Sequence, residues 1–145
     1  MDLLRALADA WKWKGIEPVE IIDQNAFGNV IVRTVAGSFW RICPEIPDAE
    51  LIAHSEARLK EVRNDPEFVL DWEMAPLVQK AGDLFGDPGC GRCYCLKIPA
   101  VLGGEYGDAN LGTISIFELL SLSGNLAAQM DGLPDGSKVR LKVVK

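Results

Sequence analysis

Cys90, Cys93 and Cys95 fall within six residues, in the stretch "GDPGCGRCYCLKIPAVLGGEYGDANL". Three thiols so close could hold a metal or run redox chemistry. A structural zinc site wants four Cys or His ligands, often as two separated pairs. Cys90-x-x-Cys93 is one pair, and the only ligands of that kind outside the cluster are Cys43 and His54. Cys95 stands two positions after Cys93, so on a strand both side chains point to one side and pack there as small apolar groups. A redox Cys-x-x-Cys needs a thiolate, usually at a helix N-terminus. This pair instead precedes the strand-like "CYCLKI". The spacing favours core thiols, with no metal and no cofactor.

Other catalytic patterns are equally thin. His54 is the single histidine and lies in the apolar "LIAHSEA". The chain has no Ser-x-Gly elbow, no HExxH, no phosphate-binding Gly-Lys-Ser/Thr loop and no GxGxxG. Asp71 and Glu73 could do acid–base work, but two residues apart on a helix they do not face each other. They read more simply as part of a solvated acidic face.

The loop "GGEYGDAN" offers more. Gly103 and Gly104 open backbone conformations closed to other residues. Glu105, Tyr106, Asp108 and Asn110 add two acids, an aromatic ring and an amide. Such a loop suits a protein partner, because aromatic side chains are common interface anchors. The competing reading has Tyr106 covering the core and Asn110 tying a turn.

These residues need elements to hold them. The chain has 145 residues, 48% hydrophobic and 25% charged, which fits one globular domain over 1–145. Leu3, Leu4, Leu7, Ala8 and Trp11 recur at helix spacing, so residues 2–14 form an amphipathic helix closed by Gly15. An α+β core over about 17–145 follows. "EPVEIID", "VIVRTV" and "FWRICP" read as strands, the last two forming a hairpin. Phe39, Arg41 and Cys43 share one strand face, and Trp40 and Ile42 the other. "AELIAHS" is a possible short strand, and Ser55 can cap a helix over 56–63.

Asp65-Pro66 pairs an N-cap with proline at the first helical position. It starts a helix whose apolar stripe is Phe68, Trp72, Ala75 and Val78, with Pro76 as a kink. Ile116, Leu119, Leu120, Leu126, Ala127 and Met130 mark a buried helix face, with Gly124 its weak point. A last strand is expected over Lys138 to Val144. The order predicts an α+β domain: an antiparallel or mixed sheet of about five or six strands with helices packed on it.

The formal net charge is −6, which argues against a nucleic-acid binder and suits a basic protein partner. No apolar run approaches the roughly 20 residues of a membrane helix. The N-terminus lacks the basic region of a secretory signal, so the chain is expected in the cytoplasm. Alternating Lys and Arg on Lys138 to Val144 discourage edge pairing, so a monomer or weak dimer is expected.

"NAFGNVIVRTVAGSFWRICPE", "DPEFVLDWEMAPLVQKAG" and "GRCYCLKIPAVLGGEYGDANLGTISIFELLSLSGNLAAQMDGLPDGSKVRLKV" resemble the C-terminal domain family of type VI secretion DNase immunity proteins, formerly a domain of unknown function. The resemblance runs from about Asn25 to the C-terminus. Its most specific parts are "FWRICPE", "YCLKIPAVLGGEYG" and the "ELLSLSG...LPDG" ending. It implies a non-enzymatic cytoplasmic antidote that binds a cognate effector and blocks its active site or substrate entry. In some relatives a further N-terminal domain, itself similar to a segment of a tRNA synthetase, precedes this one; the present chain is too short to include it.

With the acidic stretches 45–50, 65–73 and 105–108, the expected toxin-binding residues are Glu105, Tyr106, Asp108, Asn110, Asp71 and Glu73, facing a basic toxin. The alternative is a stand-alone adaptor or small-ligand-binding domain without a toxin partner.

Overall fold

The computed structural model describes residues 2–132. The strand expected over Lys138 to Val144 lies outside them.

Helix α1 (Leu3–Trp11) opens with Asp2 as N-cap, its carboxylate accepting from the Leu4 amide at 3.0 Å. A 3₁₀ turn at Lys12–Lys14 and a left-handed Gly15 end it. Strands β1 (Pro18–Gln24), β2 (Val30–Thr34), β3 (Phe39–Cys43) and β4 (Asp48–Ala53) form an antiparallel meander in sequence order. Helices α2 (Glu56–Asn64), α3 (Pro66–Glu73) and α4 (Ala75–Phe85) follow. Strands β5 (Arg92–Leu96) and β6 (Leu111–Ser115) then pair as a separate antiparallel sheet, and α5 (Ile116–Met130) runs on directly from β6. The expected α+β architecture is present, and among the described residues six strands divide between two sheets.

The period-2 pattern of β2 and β3 decides what covers each face of the large sheet. Val30, Val32, Trp40 and Ile42 pack with Leu7 and Trp11 of α1 and with Ile116 and Leu120 of α5. Ile31 and Phe39 pack on the other side with Leu59 of α2 and with Phe68 and Trp72 of α3. The sheet is therefore sandwiched between two helix layers. A third cluster joins the hairpin to α4, through Tyr94, Leu96 and Leu111 against Ala81, with Phe27 between.

Two local expectations change. The segment after Asp65-Pro66 is not one kinked helix. It breaks at Met74, which adopts a left-handed conformation (φ 49°, ψ 37°). Pro76 has no N–H to give the carbonyl four residues back, on Trp72. The Asn25 side chain supplies the missing donor, its Nδ2 lying 2.9 Å from that carbonyl. The stripe splits accordingly: Phe68 and Trp72 serve the sheet, Val78 serves the hairpin, and Ala75 is exposed.

Gly124 is not a weak point but the place where α5 crosses α1. A Cβ there would stand 2.6 Å from both the Cβ and the carbonyl oxygen of Ala10. The Gly124 carbonyl also accepts from the Trp13 indole at 3.1 Å.

Candidate functional site

An arginine in the middle of an apolar strand must find partners, because an unpaired buried charge is costly. Arg41 of β3 is almost fully buried. Its guanidinium carbon lies 5.7 Å from the ring centroid of Phe68 and 5.3 Å from that of Trp72. Those two rings stack at 6.1 Å on α3, presenting their electron-rich faces to the cation. Nε and Nη2 donate to the Asn29 Oδ1 at 3.1 and 3.0 Å, and Nη1 donates to Asp71. Asn29 passes the network on, its Nδ2 donating to the Glu45 carboxylate at 2.8 Å. The Cys43 thiol donates to the other Glu45 oxygen at 3.0 Å. A continuous polar chain thus runs Asp71–Arg41–Asn29–Glu45–Cys43, with its inner members buried.

Tyr106 stands beside the far end of this chain. Partial burial lifts its phenol pKa, and the carboxylates of Glu45 and Asp71 push it the same way. The ring nevertheless keeps 46% of its surface exposed. The 3₁₀ turn Ala100–Leu102 holds the loop against the network, because the Ala100 amide donates to the Glu45 carbonyl at 2.8 Å.

The loop's own fold follows from two residues. Asn110 accepts from the Ile98 amide at 2.8 Å and donates to the carbonyls of Ile98 and Glu105, each at 2.9 Å. All of its amide capacity seen here serves the loop. The two glycines differ in role. Gly103 uses its freedom to adopt φ 90°, whereas Gly104 is required by space, since a Cβ there would lie 1.8 Å from the Ile98 carbonyl oxygen. Asp108 begins the 3₁₀ turn Asp108–Asn110 and pairs with Lys80 of α4 at 3.3 Å.

Of the residues named from sequence, Asp71 joins the buried network through Arg41, and Tyr106 is near enough to feel the charges of Glu45 and Asp71. Glu105 and Asp108 are exposed on the loop beside Tyr106 in the chain. Glu73 is exposed at the end of α3, but two helical positions turn it through about 200° from Asp71. Arg41, Asn29, Cys43 and Glu45 were not singled out as site residues. The available signal was the placement of Arg41 and Cys43 on one face of an otherwise apolar strand.

Three of the four thiols are pushed toward their protonated form. Burial raises the Cys43 thiol, and the neighbouring Glu45 raises it further, so it stays protonated. Cys93 is buried in the main core, its pKa lifted to about 12 chiefly by burial. Cys95 is raised by the same cause, and Cys90 is exposed. Among the described residues no three Cys, His, Asp or Glu side chains converge as metal ligands. His54, for all its apolar sequence neighbours, is exposed just after β4. Among the described residues no helix is long and apolar enough to cross a membrane.

No curated protein matches the chain. The profile of the family described as "T6SS immunity protein Tdi1, C-terminal" matches residues 53–127, a narrower span than the resemblance starting near Asn25. That stretch carries α2 to most of α5, including Asp71, the Tyr106 loop and the β5–β6 hairpin. Covering just over half of the sequence, the match shows that the chain belongs to this family of type VI secretion immunity proteins.

Proposed function

We propose that this protein neutralises a cognate type VI effector of nuclease type by binding it, without catalysis, over the face formed by the 105–110 loop and the adjoining end of α3. The carrying observation is Tyr106: a half-exposed aromatic ring, near enough to the buried network to feel Glu45 and Asp71, with Glu105 and Asp108 exposed beside it in the chain. Aromatic anchors on preorganised surfaces dominate binding energy, because little entropy is lost on docking. Carboxylates around such an anchor match a cleft that binds nucleic-acid phosphates, and they speed encounter with it. Occupying that cleft blocks the active site or the entry of substrate. Cytoplasmic residence fits this role, because the antidote must meet toxin that has reached the interior of a neighbouring cell.

The test is titration of a purified effector domain recovered with this protein in a pull-down, read by calorimetry and by protection of the effector's substrate. Tyr106→Ala should weaken binding at least tenfold. The pair Glu105→Arg and Asp108→Arg should weaken it comparably and flatten its dependence on ionic strength. Full affinity in both variants, with unchanged circular dichroism, would place the interface elsewhere.

A further inference from the structure

A cavity of about 450 Å³ lies between the β5–β6 hairpin and α5, with Pro44 and Glu45 also in its lining. Its walls are mostly apolar, including Phe27, Cys95, Ile114, Leu119, Leu122 and Leu126. Small-molecule sites span about 300–1,000 Å³ and have this character, an apolar body with a few placed polar groups. At about 30 Å³ per water the volume equals roughly fifteen waters, more than twelve non-hydrogen atoms of a short acyl chain need.

The polar groups determine the ligand's chemistry. Lys97, one residue past β5, lies flat on the hairpin. A Cβ built on Gly112 would touch its Cγ at 3.4 Å and its Cε at 3.5 Å, beside the Cys95 Sγ at 3.6 Å. The apolar stem of Lys97 therefore continues the wall that Cys95 begins, and its ammonium ends at the mouth. Among the described residues Lys97 takes part in no ion pair. The amides of Asn125 and Gln129 on α5 also line the cavity. Glu45 lines it too, but Asn29 and Cys43 occupy its two carboxylate oxygens. The cavity thus presents an apolar body and a cation that has no carboxylate partner among the described residues, with the Glu45 carboxylate already bonded.

We propose that this cavity binds an amphipathic carboxylate, a single free acyl chain of about ten carbons. Its tail lies against α5, and its head group pairs with Lys97 in a charge-assisted hydrogen bond. The proposal is independent of the toxin-facing loop and stands or falls without it.

The experiment is calorimetric titration of the full chain with decanoate, decanol and decylamine. Decanoate should bind once per chain and saturate below about 1 mM. Decanol should bind at least fivefold more weakly, and decylamine more weakly still. Lys97→Gln should reduce decanoate affinity to that of decanol and leave decanol unchanged. Leu122→Trp, at a rim position 45% exposed and so tolerant of size, should remove binding of both while the protein stays folded. Any of three results would overturn the proposal: no saturable decanoate binding, decylamine binding as tightly as decanoate, or decanoate binding indifferent to both substitutions.

Discussion

Replacing Arg41 with alanine should destabilise the protein by about 3 kcal/mol, whereas Asp71→Asn should cost less than about 1 kcal/mol. The two residues form one ion pair, so the asymmetry is informative. The Asp71 side chain is 71% exposed, against 10% for Arg41. An ion pair with one partner in water is worth only about 0–1 kcal/mol. Arg41 contributes more because of its other contacts. Its loss would leave the fully buried Asn29 Oδ1 without either of its Arg41 donors, at about 1–3 kcal/mol for an unsatisfied buried acceptor. It would also remove the cation from beside the Phe68 and Trp72 rings, at about 0.5–2 kcal/mol.

For a chain of this length each kcal/mol moves Tm by about 2–4 °C, so Arg41→Ala should lower it by about 6–12 °C and Asp71→Asn by under about 4 °C. Urea unfolding followed by tryptophan fluorescence gives both free energies, with Trp72 reporting beside the substituted residue. The double variant completes a cycle whose coupling should stay below about 1 kcal/mol. Equal costs for the two single variants, or a neutral Arg41→Ala, would refute the view that the network is anchored from its buried end.

Three further outcomes are expected. Gly124→Leu should destabilise by about 1–3 kcal/mol or more, since its Cβ would meet the Ala10 backbone rather than a movable side chain; thermal unfolding measures this. Asn110→Ala should cost about 1–3 kcal/mol and, by releasing the loop that carries Tyr106, weaken effector binding more than its own contacts would, as a paired unfolding and titration experiment can show. The thiols set the alkaline limit. Burial lifts the Cys93 pKa from about 9 to about 12, so between those values the unfolded thiol ionises while the folded one keeps its proton. Unfolding then releases a proton, and stability, fully present below pH 9, falls as pH rises, by about 1.4 kcal/mol per unit for each such thiol. Cys43 and Cys95 shift in the same direction, and Cys93→Ala should make the decline shallower in urea titrations across that window.

Much of the local structure could be read directly from the sequence. The period of Leu3, Leu7 and Trp11 sets α1, the alternation in "VIVRTV" and "FWRICP" sets the hairpin, and Asp65-Pro66 starts α3. In each case the signal and its consequence lie within a few residues, where backbone hydrogen bonding and face periodicity act directly. The polar Gly-rich loop was visible in the same way, but whether Tyr106 stood out from it or covered the core was open in the sequence, and only the structure leaves the ring half-exposed.

What tertiary structure alone decided involves partners far apart in the chain. Pro76 announces a disturbed helix, but whether α3 bends or breaks depends on Asn25 reaching the Trp72 carbonyl from 47 residues away. Arg41 announces a need for partners, yet only folding shows that Phe68, Trp72 and Asp71 supply them from α3 and that Asn29 joins them to Glu45. Gly124 reads as a helix defect until α1 is seen pressed against it. The cavity beside Lys97 exists only because α5 and the hairpin meet at that angle and leave room between them. Periodicity fixes which face of an element is buried; it carries no information about which distant face covers it, because that choice is made by side-chain packing across the whole chain.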